Sequence, residues 1–352
     1  MDRLIEFAIN FKYAFRPHKP LLFLRLAKTV IKSYIFNSPP LRYVDFALDF
    51  ACNLRCKHCF AVSLRRENRR RLTIDEYRNI AEQCMKLGSV NFSFQGGEPL
   101  LFGQLSKIIP VFKPERNVIS VTTNGTLLTE DKVLELKKTG VDILTVSLDS
   151  SIAKEHDDFR GLPGSFDKTL KGIKLALKNG LRVTLGSVVT HQTLKSKGII
   201  GLIELAKKMK VVLYLILPVP AGNWISQESM LLTHEDLLLI ENLVSSSCYV
   251  RTDFQANLGN YGCGAIKEIL YITPYGDVLP CPFLHFSMGN LLEEPLDVIR
   301  NRGLKNKYFV SYHNKCLAST DEDFIKNYLS KTFKADELPL SWEKMFGRGG
   351  ES

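Results

Sequence analysis

The sequence predicts an α/β fold organised on a parallel sheet. Two observations carry that reading. From Tyr43 onward, six short β-type runs alternate with five amphipathic helical patterns. The helical patterns are also bounded by residues that start and stop helices. Strands separated by helices pair side by side, so a parallel sheet with right-handed crossovers is expected. A chain of 352 residues with 45% hydrophobic content can bury one large core and a smaller one without staples.

Residues 1–40 precede the alternation. Leu4, Phe7, Ala8, Phe11, Ala14 and Phe15 recur at helical spacing, and Pro20 opens a second pattern with Phe23, Leu26, Ala27, Val30, Ile31 and Tyr34. Two amphipathic helices packed on the sheet domain are expected. Arg25, Lys28 and Lys32 lie off the apolar face, so a peripheral contact with anionic membranes is the alternative. Ser38-Pro39-Pro40 reads as a linker. Strands are expected near 43–49, 89–95, 117–123, 142–147, 182–189 and 211–217, and helices near 74–87, 103–112, 129–139, 165–179 and 195–209. Thr73 with Glu76 makes a capping box, and Gly88, Gly140 and Gly180 fall just past helix ends. Leu217–Gly222 lies where a substrate-facing loop would leave the last strand. Cys84, with Tyr77, Ile80 and Ala81, and Cys248, with Leu237, Ile240 and Val244, read as buried core thiols. Tyr271–Pro282 reads as a hairpin turning at Pro274-Tyr275-Gly276-Asp277, followed by a helix near 295–301. The expected organisation is an N-terminal helical segment (1–40), a catalytic domain (41–255) and a C-terminal region (256–352).

No apolar run approaches the ~18 residues of a spanning helix. Eight cysteines without a signal-peptide pattern point to the reducing cytoplasm, with thiolates used as ligands. A net charge of +10 favours anionic partners. Arg65, Arg66, Arg69, Arg70 and Arg71 form a basic loop, read either as solvated or as a docking site. Nothing in the sequence supports nucleic-acid binding.

The chemistry begins at Cys52-Asn-Leu-Arg-Cys56-Lys-His-Cys59. Three thiolates on one short loop can converge on an iron–sulfur cluster and leave one iron open. Structural zinc wants four ligands, and the nearest other group is His58. The triplet after a first strand resembles the radical S-adenosylmethionine (SAM) superfamily. The resemblance implies a partial TIM-like barrel of six βα units, open on one side, with catalytic groups at the carboxyl ends of the strands. It implies a 4Fe-4S cluster on Cys52, Cys56 and Cys59 whose open iron chelates SAM. One-electron cleavage of SAM would then yield a 5′-deoxyadenosyl radical that removes a hydrogen atom from the substrate.

Further motifs follow in order. Gly96-Gly97-Glu98-Pro99 looks like the family's turn that binds the amino group of SAM. Thr123-Asn124 and Ser147 with Asp149 match positions near the SAM carboxylate and ribose. His156-Asp157-Asp158-Phe159-Arg160 looks like a subgroup signature in which Arg160 would pair with the SAM carboxylate, while His156 and Asp157 fix the loop. Cys263, Gly276 and Cys281, then Gly289-Asn290-Leu291, resemble the auxiliary-cluster region called SPASM, or twitch when shorter. Only Cys316 remains after them, which implies one auxiliary cluster on Cys263, Cys281 and Cys316, its fourth position open or taken by His313 or Asp321. Cys84 or Cys248, were either to face the active site, would be a hydrogen-atom donor instead.

The function expected is therefore hydrogen abstraction from a small molecule or a peptide in a biosynthetic or maturation pathway. The alternatives are a peptide-modifying maturase (an epimerase or crosslinking enzyme) and, more distantly, a non-catalytic iron–sulfur scaffold. Residues 1–40 are too few for a winged-helix leader-binding domain, which tilts the expectation towards a small molecule. An acidic flavodoxin or ferredoxin is the expected electron donor, docking on the arginine loop.

Overall fold

The computed structural model describes Lys12, Arg16 and residues 19–36, 40–253 and 262–347. The helical pattern expected at Leu4–Phe15, the linker residues Ser38 and Pro39, and the stretch from Asn257 to Tyr261 lie outside them. The first element is α1 (Pro20–Phe36). The alternation then runs β1 (Tyr43–Asp49), α2 (Ile74–Lys86), β2 (Asn91–Gly96), α3 (Leu105–Ile108), β3 (Val118–Thr123), α4 (Glu130–Thr139) and β4 (Ile143–Ser147). It continues with α5 (Ala153–Arg160), α6 (Ser165–Lys178), β5 (Arg182–Val188), α7 (Lys197–Met209) and β6 (Val212–Ile216). The expected capping box at Thr73 and Glu76 starts α2, with both reciprocal bonds made.

The sheet goes further than six strands. After α8 (His234–Ser246) comes β7 (Val250–Thr252), and the C-terminal region contributes β8 (Ile269–Ile272) and β9 (Val278–Leu279). The order is β7-β6-β5-β4-β3-β2-β1-β8-β9, parallel throughout except for the β8–β9 hairpin. β7 and β9 stand at opposite edges, so the barrel is partial. Neither β7 nor the pairing of β8 with β1 was expected, because three- and four-residue strands are too short for a periodic signal.

Alternation along each strand separates two faces. Val44, Phe46, Leu48, Phe92, Phe94, Ile119, Val121, Leu144 and Val146 are fully buried in the main core, with the helices. Phe46 anchors this layer, its ring 4.8 Å from Phe112 in an edge-to-face contact. The alternate positions, on the opposite, inner face, are largely polar and include Asp45, Ser93, Ser120 and, on β5, Thr184.

The N-terminal segment ties itself to the amino ends of the strands. Asp142, just before β4, accepts from Arg16 Nε at 3.2 Å and from Lys19 Nζ at 2.5 Å. Lys19 also donates to the Asn117 carbonyl at 2.9 Å. Arg25 donates to the Ser89 carbonyl at 2.7 Å and to the Asn117 side chain. Two expectations change here. Arg25 faces the protein, held by acceptors ahead of β2 and β3, and Ile31, expected on the packed face of α1, is 58% exposed.

Replacing Asp142 with Ala leaves two buried cations without their shared carboxylate, so stability to urea should fall by about 3–5 kcal/mol. Equal stability of the variant and the parent would show that the segment contributes no tether.

Candidate active site

The loop Cys52–Cys59 leaves β1 and makes no ladder of its own. One segment anchors the residues that lead into it, and two others hold the loop itself. At the end of β2, Gly97 N donates to the Asp49 carbonyl and Glu98 N to the Ala51 carbonyl, both at 2.8 Å. The chains approach so closely that a Cβ on Gly97 would stand 2.1 Å from the Ala51 oxygen, and Gly96 has a φ of +124°. From α5, the Arg160 and Phe159 carbonyls accept from Arg55 N (3.3 Å) and Lys57 N (3.0 Å). From the segment after β6, Asn223 donates its backbone N–H to the Cys59 carbonyl (3.0 Å) and its Nδ2 to the Cys56 carbonyl (2.9 Å). A Cβ on Gly222 would meet the Cys59 oxygen at 2.0 Å. The Leu217–Gly222 stretch, expected to face substrate, thus leads into a brace on the cysteine loop.

The three thiols lie within electrostatic reach of one another. Burial pushes the Cys52 thiol up to about 11, and the charges of Cys56, Glu98 and Cys59 add to it. Burial also raises Cys56, opposed by the Arg160 guanidinium. A positive metal centre is what would displace these protons. Among the described residues no three His, Cys, Asp or Glu side chains converge on a single-ion site. The sulfurs do receive donors. Cys52 Sγ accepts from Leu54 N at 3.4 Å and lies 4.0 Å from Asn124 Nδ2; Cys56 Sγ accepts from an Arg160 guanidinium N–H at 3.8 Å. N–H donors aimed at cysteine sulfurs are the surroundings that iron–sulfur clusters use. Together with the glycine cradle, they fit a cluster held by this loop. His58 stacks on Phe159, ring centroids 4.4 Å apart, and burial pushes its imidazole down to about 3.

The remaining predicted residues gather round the loop. Glu98 is buried, and its carboxylate accepts from Leu100 N (3.0 Å), Thr123 Oγ1 (2.8 Å) and Asn124 N (2.8 Å). Burial nevertheless raises its pKa. Pro99 follows as the first residue of a short 3-10 turn. Asn124 Nδ2 donates to Asn53 Oδ1 at 2.9 Å. Ser147 is half-buried at the end of β4, opposite Gly186. Asp149 accepts from Val188 N at 3.1 Å and from Arg160 Nε at 2.6 Å. Burial would raise its pKa, but Arg160, His58 and His156 together hold it below the usual range. Arg160, expected opposite a SAM carboxylate, therefore already has a carboxylate on one side and a cysteine sulfur on the other. Asp157 accepts from Gly164 N, Ser165 Oγ and Phe166 N, fixing the turn between α5 and α6. Cys84 is fully buried in the core, and Cys248 is half-buried.

A second group of cysteines forms in the C-terminal region. Burial raises Cys263, Cys281 and Cys316, and Cys263 acts on both of the others. Cys263 N donates to the His313 carbonyl at 2.7 Å, and His313 Nε2 is buried without a protein partner. That orphaned nitrogen and the mutual proximity of the thiols fit a cluster here too. Asp321 acts on Cys263, but its Oδ1 accepts from Phe324 N at 2.9 Å as a helix cap. Asp253, which follows β7, acts on both Cys281 and Cys316. Its sequence position carries no motif, and only the fold brings it to the cysteines.

Comparison with known proteins agrees with this geometry. The Radical SAM superfamily profile matches residues 50–203, and the SPASM iron-sulfur cluster-binding domain profile matches residues 263–318. The AdoMet-dependent heme synthase of Methanosarcina barkeri is 28% identical over 287 residues, 74% of this chain and 81% of that protein. The antilisterial bacteriocin subtilosin biosynthesis protein AlbA of Bacillus subtilis is 28% identical over 301 residues, 79% of this chain and 64% of that protein. Among solved structures, Streptococcus suis SuiB bound to its precursor peptide SuiA shares the fold, with a TM-score of 0.63 over 90% of this chain and 78% of that one at 20% identity. The chain belongs to the radical SAM superfamily, as an enzyme that uses SAM and a 4Fe-4S cluster and carries a SPASM-type auxiliary iron–sulfur region.

Proposed function

We propose that Cys52, Cys56 and Cys59 hold the SAM-binding 4Fe-4S cluster and that the enzyme abstracts a hydrogen atom from a peptide or small molecule in a biosynthetic or maturation pathway. The observation that carries this is the convergence of the thiols, the Gly96–Pro99 turn and the Arg160–Asp149 pair on one loop at the carboxyl ends of β1 to β5. When bound, the cluster and SAM supply reductive cleavage to methionine and a 5′-deoxyadenosyl radical. The chain's own residues orient them. Glu98 shapes the turn that would receive the SAM ammonium, while Thr123, Asn124, Ser147 and Asp149 line the ribose and carboxylate side. Arg160 sets the charge next to Cys56. Cys263, Cys281 and Cys316 hold the auxiliary cluster, with His313 and Asp253 as candidates for the fourth position.

Relatives support two substrate classes. AlbA by its name and SuiB by its bound precursor support a peptide; the heme synthase supports a small molecule. The electron donor is an acidic flavodoxin or ferredoxin. Arg69 is taken by Asp277, Arg70 by Glu76 and Arg71 by Asp49. Even so, the side chains of Arg65, Arg70 and Arg71 remain half exposed for a partner. A reducing cytoplasm suits eight free thiols.

The variant with Cys52, Cys56 and Cys59 all changed to Ala should lose the four irons of one cluster and all 5′-deoxyadenosine production, while keeping the auxiliary iron. Deoxyadenosine made by that variant would refute the ligand assignment. Glu98→Ala should weaken SAM binding by about 1.5–3 kcal/mol, read by anaerobic calorimetry, because a charged acceptor and the turn it shapes are lost together. Arg160→Gln should lower the midpoint potential of the SAM cluster, read by paramagnetic resonance during redox titration, and Arg160→Lys should lower it less. Identical potentials in all three proteins would remove Arg160 from the cluster's surroundings.

A further inference from the structure

α1 is turned inside out. Its protein-facing side carries Leu22, Arg25 and Thr29; Leu22 is fully buried, Arg25 is bonded to Ser89 and Asn117, and Thr29 stands beside Gly88. Its outward side carries Leu21, Leu24, Lys28, Ile31 and Ile35, at the three-and-four spacing of one helical stripe. The four apolar members are 49%, 68%, 58% and 69% exposed. Scattered exposed leucines need no explanation, but an apolar stripe along a whole helix does.

We infer that this stripe docks the enzyme on an anionic membrane surface. The charges favour that occupant. The 17 residues of α1 contain no acid, and the exposed Lys28 stands on the stripe itself. Beside it, a hollow of about 290 Å³ is lined by Arg25, Lys86, Lys113 and Arg116, with Glu82 and Met85; Lys113 pairs with Glu82 and Arg116 with Glu115, which still leaves a net positive wall. A cation set within an apolar stripe, beside a basic hollow and with no acid on the helix, is what an interfacial helix presents to acidic headgroups. A second copy of the chain fits less well. Lys28 is the midpoint of the stripe, so antiparallel self-pairing would press Lys28 against its own copy in an apolar seam. At a lipid surface the same side chain reaches up to the phosphates while its stem stays in contact with acyl chains. Among the described residues no helix is long and apolar enough to cross a bilayer, so the helix would lie in the interface. Arg25 bonds to the amino ends of β2 and β3, whereas the cysteine loop leaves the carboxyl end of β1. Docking would therefore leave the candidate active site facing away from the membrane.

The test is flotation of the full-length, cluster-loaded enzyme with vesicles of phosphatidylcholine alone or mixed with phosphatidylglycerol. The parent should float with the mixed vesicles and lose binding as salt is raised. Leu24→Glu with Ile31→Glu should cut the bound fraction at least ~10-fold, since two large apolar contacts are replaced by charges that acidic lipids repel. Lys28→Glu should reduce it by less. Unchanged circular dichroism and 5′-deoxyadenosine production in both variants would show that the fold and the chemistry are intact. A parent that does not float, a double variant that floats equally well, or a parent that sediments as a dimer and becomes monomeric on Leu24→Glu with Ile31→Glu would each overturn the inference.

Discussion

A loop that must carry three thiols cannot satisfy its own backbone. Cys52–Cys59 has neither a helix ladder nor a strand partner, so its N–H and C=O groups need partners from outside. Apart from the Cys59 N–H on the Cys56 carbonyl, they come from the end of α5 and from Asn223 after β6, while the turn after β2 anchors the residues Asp49 and Ala51 that lead into the loop. The barrel makes this possible by bringing several strand ends to one rim. Most of the residues singled out for chemistry follow from that need. Gly96 and Gly97 admit the chain that feeds the loop, the α5 carbonyls receive Arg55 and Lys57, and Gly222 lets the brace come close.

The C-terminal region is bound into the same construction. Tyr275 accepts from Arg66 N and donates to the Arg66 carbonyl, each at 2.8 Å, and Leu72 N donates to the Pro274 carbonyl. Arg69 grips Asp277 with two bonds, of 2.7 and 3.1 Å. The arginine loop is thereby a clasp between the segment after the first cysteine group and the hairpin leading to Cys281. A dense basic run reads in sequence as solvated or as a docking patch. Two of its acidic partners, Asp277 and Asp49, are 208 and 22 residues away, so no local pattern announces them.

Much of the fold was legible because it is local. β1 runs from Tyr43 to Asp49 as its alternation predicts, and α2 begins where Thr73 and Glu76 say it should. The motif residues stand out in the sequence because their spacing is what converging thiols require. What was not legible depends on distance in sequence. Arg160 reads as a free two-pronged donor until Asp149 folds back on it; Asp253 and Asn223 carry no motif at all. For α1 the pattern misled, because periodicity shows that a helix has an apolar face but not which way it turns. Arg25, held by carbonyls ahead of two strands, sets the direction.

The pairing of β1 with β8 bears on how such a chain is made. β1 has its β2 neighbour after about forty residues, but its other neighbour begins at Ile269, 220 residues beyond Asp49. At translation rates of ~5–20 residues per second, that edge stays bare for roughly ten to forty seconds on the ribosome. For the same interval the hairpin that the arginine loop clasps does not exist, nor do the two bonds between Tyr275 and Arg66. The nascent protein thus passes through a period in which an unpaired strand is open to wrong partners.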